Sequence, residues 1–118
     1  MVRYKEKLIS SPRPNMLGGE GTAMVTPLFE KGEYRGHARL MSVLTLEPGC
    51  TVGEHKHEGE EEFVYILSGN AIYYDNGVQK EMKAGDTAIT ISGQTHRIDN
   101  KGTESLKYLA MVLTYDEA

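Results

Sequence analysis

The sequence predicts an all-β fold of a single domain, rolled into a closed barrel or sandwich. Three observations carry that reading. Turn residues recur at short intervals, at Gly18-Gly19, Gly32, Pro48-Gly49, Ser68-Gly69, Asp75-Asn76-Gly77, Gly85-Asp86, Gly93 and Gly102. The runs between them are short and rich in β-branched and aromatic residues. No stretch shows the apolar period of an ordinary amphipathic helix. Many short strands at near-even spacing favour closure, because a closed sheet leaves no unpaired edge to aggregate.

Composition bounds the rest. A chain of 118 residues is one domain by default. At this size a chain buries about two thirds of its unfolded surface, so it needs no disulfides. The single cysteine, Cys50, cannot make an internal one and is read as structural. A net charge of -4 gives no basic footprint, so nucleic acid is not expected as a partner. No apolar run reaches membrane-spanning length, and the N-terminal residues lack the apolar core of a secretory signal. The expectation is a cytoplasmic protein with no membrane contact.

The elements follow in order. Residues 1–21, with Pro12, Pro14 and a glycine-rich patch at 18–21, read as an N-terminal arm that packs outside the barrel or reaches a second subunit. Residues 22–118 read as the barrel domain. Its strands are expected at 22–29, 39–46, 62–67, 71–75, 78–82, 87–91, 96–99 and 105–113. Asn76-Gly77 between two of these runs is the strongest hairpin signal, because both residues tolerate the positive φ of a two-residue turn.

The chemistry concentrates in GCTVGEHKHEGEEEF, residues 49–63. If His55-Lys56-His57 is extended, the two imidazoles project to one face. The following strand then selects a carboxylate by parity. Glu62 shares a face with Val64 and Ile66, so it points inward at the barrel mouth, where a bare carboxylate needs a partner. Glu58, Glu60 and Glu61 are expected to stay solvated in the loop. His96, after the turn at Gly93, supplies a fourth ligand from another strand. Three imidazoles and one carboxylate suit a first-row divalent ion with open positions left over.

These residues resemble the cupin superfamily. Gly49, His55, His57, Glu62 and Gly69 fall at the spacing G-x5-H-x-H-x4-E-x6-G. Gly85, Gly93, His96 and Asn100 fall at the second motif, G-x5-P-x-G-x2-H-x3-N, with Ile91 in place of its proline. The resemblance implies a double-stranded β-helix (jelly-roll) barrel, usually dimeric or larger. It also implies one bound divalent transition metal, Mn, Fe, Ni or Zn, with Mn or Fe favoured. Within the superfamily the chain looks most like small single-domain, oxalate decarboxylase-like members.

Around the metal, Arg39 is expected to hold a substrate carboxylate with its guanidinium fork. Tyr73 and Tyr74 straddle a strand, so one points inward, and Tyr73 is taken as the ligand-binding one. Met41, Met82 and Met111 read as core filling, and Arg97 and Lys101 as surface charges. No catalytic proton donor can be nominated. The expected function is a metalloenzyme that decarboxylates or oxidises a small, oxalate-like carboxylate. The alternative is a non-catalytic module that binds a sugar or small anion. The outward residues Phe63, Tyr65 and Leu67 suggest a homodimer.

Overall fold

The computed structural model describes residues 1–115; the last three residues of the expected barrel domain, 116–118, lie outside the described residues. Ten strands follow one another: β1 (Ser11–Pro14), β2 (Thr22–Pro27), β3 (Ala38–Leu46), β4 (Thr51–Lys56), β5 (Glu60–Ser68), β6 (Asn70–Asp75), β7 (Val78–Lys83), β8 (Thr87–Thr90), β9 (Thr95–Asp99) and β10 (Leu106–Thr114). They pair antiparallel in two sheets, ordered β1-β2-β3-β10-β5-β8 and β4-β9-β6-β7. Helix is confined to two single 3-10 turns, Lys5–Lys7 and Met16–Gly18. No helix among the described residues is long and apolar enough to cross a membrane.

All eight expected strands are present, with ends shifted by at most two residues. Two strands were not expected. β1 carries Pro12 and Pro14, which lack a donor for a sheet interior, but it is an edge strand and pairs only with β2. β4 is the strand that carries His55, and its sequence Thr-Val-Gly-Glu-His-Lys lacks an alternating pattern.

Inward positions of both sheets meet in one buried cluster that includes Leu46, Val64, Ile66, Ile98, Leu106 and Tyr108. Burying each such side chain stabilises the fold by about 1.5–3 kcal/mol. The Asn76-Gly77 hairpin forms as expected, with φ of 49° and 87° joining β6 to β7.

Two irregularities aim side chains at the site. Between Val52 and His55 the β4–β9 register slips, since Val52 faces Ile98 and His55 faces His96. One extra residue in β4 is therefore a bulge, and it reverses strand parity. Simple alternation from the buried Val52 would turn Glu54 inward; the bulge turns His55 inward instead. A second slip on β3 leaves Arg39 without a cross-strand partner on β10, between Leu40 opposite Val112 and Ala38 opposite Leu113.

Candidate metal centre

Four donors converge from three parts of the barrel. His55 is on β4, His57 follows it directly, Glu62 is on β5 and His96 is on β9. His57 is held by the second motif: its amide bonds to the Gln94 carbonyl at 3.1 Å, and its carbonyl accepts from Gly93 at 2.7 Å. The two motifs thus meet through backbone as well as through side chains.

The ligand atoms of these four residues all lie within 4.8 Å of one another. His96 Nε2 is 2.9 Å from His55 Nε2 and 3.1 Å from His57 Nε2. Glu62 Oε1 is 3.0 Å from His57 Nε2 and 3.4 Å from His96 Nε2. His57, Glu62 and His96 are buried, and His55 is half-buried.

The opposite ring nitrogens explain this orientation. His55 Nδ1 is 2.8 Å from the Gly53 carbonyl, and His57 Nδ1 is 2.6 Å from Glu60 Oε2. A carbonyl or carboxylate can only accept, so both Nδ1 atoms carry the proton. Their Nε2 lone pairs then face inward. His96 Nδ1 lies 2.7 Å from the Tyr73 hydroxyl, which is 2.9 Å from Thr90 Oγ1. Burial pushes the Tyr73 phenol up, so it stays neutral and can accept from His96 while donating to Thr90. Three imidazole lone pairs and a carboxylate aimed at one point repel one another unless a cation or a proton lies between them. The donor set therefore fits a bound metal.

Titration reflects the same geometry. Burial pushes the Glu62 carboxyl up, but hydrogen bonds from His57 and His96 outweigh it and hold it at about 2. The hydrogen bond to Glu62 raises His57, against burial and with help from Glu60. Burial lowers His55, against the hydrogen bond to the Gly53 carbonyl and with help from His96.

One expectation about the loop is corrected. Glu60 is not a solvated loop residue: β5 begins two residues earlier than expected, at Glu60. Parity then puts it on the same side as Glu62. It accepts both arms of Arg39, at 2.9 and 2.7 Å, while its Oε2 receives His57 Nδ1. Glu61 likewise lies on β5, opposite Leu113 and partly buried, whereas Glu58 is exposed as expected. Arg97 is not a plain surface charge either. Its fork grips the fully buried Asp99 at 2.7 and 3.0 Å, and its guanidinium lies over the Tyr74 ring.

Arg39 lies at the mouth, half-exposed, with its fork on Glu60. Tyr73 points inward, but to the Nδ1 side of His96, behind the donor cluster. Asn100, from the second motif, donates to the Leu46 and Glu104 carbonyls at 2.8 Å each and accepts from Gly102, so it staples a turn. An open cavity of about 610 Å³ leads to the cluster; Arg13, Arg39 and Lys56 line it together with Glu60 and Glu62, Arg39 being paired with Glu60 and Lys56 with Glu58.

Residues 42–112 match the model of a family described as cupin domain. An oxalate-binding protein of Thermotoga maritima is 43% identical over 113 residues, covering 96% of this chain and 93% of that protein. A crystal structure from Thermotoga maritima, described as a predicted oxalate decarboxylase, superposes with a TM-score of 0.93 at 39% identity, covering 97% of this chain and 99% of that one. A probable oxalate decarboxylase of Arthroderma benhamiae is 30% identical over 92% of this chain, which spans 28% of that protein. The chain belongs to the cupin domain family.

Proposed function

We propose that this protein binds one divalent first-row metal through His55, His57, Glu62 and His96 and captures a small, oxalate-like carboxylate there. The single observation that carries the reading is the convergence of three imidazole nitrogens and one carboxylate oxygen within 4.8 Å, with the opposite ring nitrogens held from behind by other groups. Three imidazoles and one carboxylate would suit a first-row divalent ion with positions left open for a ligand, Mn or Fe among them.

When bound, the metal supplies Lewis-acid polarisation of a carboxylate oxygen, and Mn or Fe adds one-electron chemistry. The protein's own groups do the rest. Arg13 adds positive charge at the mouth, where Arg39 and Lys56 are paired with Glu60 and Glu58. Glu60 and Tyr73 hold two imidazoles in the tautomer that coordinates. Leu40, Leu44, Val52 and Ile98 line the inner end of the site and exclude water.

Arg39 is engaged by Glu60, so its role here is to hold that carboxylate. Tyr73 acts on His96 and not on the ligand. With Glu60 and Tyr73 both committed, neither is a ready proton donor, which favours capture over turnover. The likeness to an oxalate-binding protein points the same way. The similarity to part of a probable oxalate decarboxylase favours the second reading, decarboxylation or oxidation of the bound acid.

Calorimetry of metal-loaded and metal-stripped protein with oxalate tests the proposal. Binding by the loaded form alone supports it, and binding by neither form refutes it. Carbon dioxide, formate or peroxide released by the loaded protein would select the second reading. We place the protein in the cytoplasm as a homodimer. Exposed Tyr65, Leu67 and Ile89 and part-buried Phe63 form one outward face of β5 and β8, suited to a second copy. A monomer by light scattering at micromolar concentration would refute the dimer.

A further inference from the structure

The turn at Met16–Gly18 lies against the site, and its Met16 also packs on the core. Met16 and Leu17 line the open cavity together with His55, His57 and Glu62. They also line a second, more enclosed cavity with His55, Glu62 and His96. That inner cavity holds only about 20 Å³. It is small beside the open cavity of about 610 Å³ that leads to it.

The backbone here is strained. Asn15 and Leu17 both take left-handed φ, at 50° and 53°. Leucine rarely adopts that conformation, because its Cβ crowds the following carbonyl. Leu17 is also 51% exposed, so core burial does not account for its placement. Strain of this kind persists only where the surroundings over-determine it, and it clusters at ligand clamps.

The surroundings do over-determine it. A Cβ on Gly53 would stand 2.1 Å from the Leu17 carbonyl oxygen, and one on Gly19 would stand 2.2 Å from the Thr51 oxygen. Only glycine at both positions lets the turn press this closely on β4, the strand that carries His55. Asn15 Nδ2 donates to the Gly19 carbonyl at 3.1 Å. The Glu20 amide donates to Thr51 Oγ1 at 2.7 Å, and the Thr51 amide donates to the Glu20 carbonyl at 2.8 Å. The turn is a fixed wall.

We infer that Met16 and Leu17 set the size limit of the site, admitting flat, unbranched dicarboxylates and rejecting acids that carry substituents next to the coordinating carboxylates. The inference rests on the proposed carboxylate site. A flat acid reaching the donors from the mouth leaves the two side chains in place. A substituent on the carbon between two carboxylates meets the Met16 or Leu17 side chain, and the clamped backbone leaves only side-chain rotation to relieve the contact.

Malonate and dimethylmalonate test this, because they chelate through the same atoms and differ only in two methyl groups. Binding to the Mn-loaded protein is measured by calorimetry, with oxalate as reference. Wild type is expected to bind malonate at least about tenfold more tightly than dimethylmalonate. Leu17→Ala and Met16→Ala should each narrow that ratio by about threefold or more, and Leu17→Phe should widen it. A turn that merely caps the barrel would lose stability in the alanine variants with the ratio unchanged, and that result overturns the inference. Equal binding of the two acids by wild type overturns it as well. Failure of wild type to bind any of the three acids removes the carboxylate site itself, and this inference with it.

Discussion

His57 and His96 perform the same task in two settings, and their supports differ accordingly. His57 stands at the mouth. Its Nδ1 proton goes to the carboxylate of Glu60, which is itself gripped by the half-exposed Arg39. His96 is fully buried in the wall, and its Nδ1 faces two neutral hydroxyls in series, Tyr73 and Thr90. Near water an ionised support costs little, because solvent and Arg39 share the charge. Deep in the barrel a second carboxylate would lie close to Glu62 with no cation to offset it, so a neutral relay serves better. A carboxylate that solvent reaches holds the buried His57, and two buried hydroxyls hold His96.

The comparison is sharpest when one support is removed from each side. Tyr73→Phe should have the larger effect. It leaves the buried His96 Nδ1 without its hydroxyl partner, at a cost of about 1–3 kcal/mol in stability. Metal affinity should fall by about 10–100-fold, since the ring is free to adopt the wrong tautomer. Denaturant unfolding and a chelator competition would measure the two effects.

Glu60→Gln should cost less. Water can reach the mouth and replace part of the lost acceptor, so affinity should fall toward the lower end, about tenfold, with little change in stability. Arg39→Met should weaken metal binding less than Glu60→Gln does, because it acts only through Glu60. Equal losses for Tyr73→Phe and Glu60→Gln would remove the distinction between wall and mouth.

The smallest effect is in protonation. In the metal-free protein His57 is raised above 6.5 by Glu62, and His55 is lowered below 6.5 by burial. The contribution of His57 to stability is therefore present below pH 6.5 and lost as the pH rises through its raised value. That of His55 runs the other way, present above pH 6.5 and lost as the pH falls. Glu62, held at about 2 against 4.5, contributes above pH 4.5 and loses that contribution as the pH falls toward 2. An NMR titration of the stripped protein should show His57 keeping its proton to higher pH than His55. Metal binding below the raised His57 value should then release protons, because His57 must give up its own to coordinate. The reverse order of titration would contradict the assigned contacts.

Much of the site could be read before any coordinates, and the exceptions have definite causes. Glu62 follows from strand parity, because Val64 and Ile66 fix which side of β5 is inward. The same rule reaches Glu60 once the strand is extended by two residues; three adjacent glutamates hid its start. Parity fails on β4, where the bulge after Val52 reverses the alternation, and a bulge leaves no mark in a single sequence. β1 was hidden by two prolines that an edge strand tolerates. Tyr73 was rightly placed inward, but whether an inward hydroxyl meets a ligand or the back of an imidazole depends on which strand lies beside it. Met16 and Leu17 had no signal at all, since their role comes from a contact between Gly19 and Gly53, far apart in the chain.

The central claim is that four side chains close on a single cation. Titration of stripped protein with Mn(II), followed by calorimetry or the paramagnetic relaxation of water, tests it most directly. One equivalent should bind per chain in the wild type, and His96→Ala should bind at least about a hundredfold more weakly. A wild-type protein that takes up no first-row divalent ion, or a His96→Ala variant that binds as tightly as the parent, would contradict it.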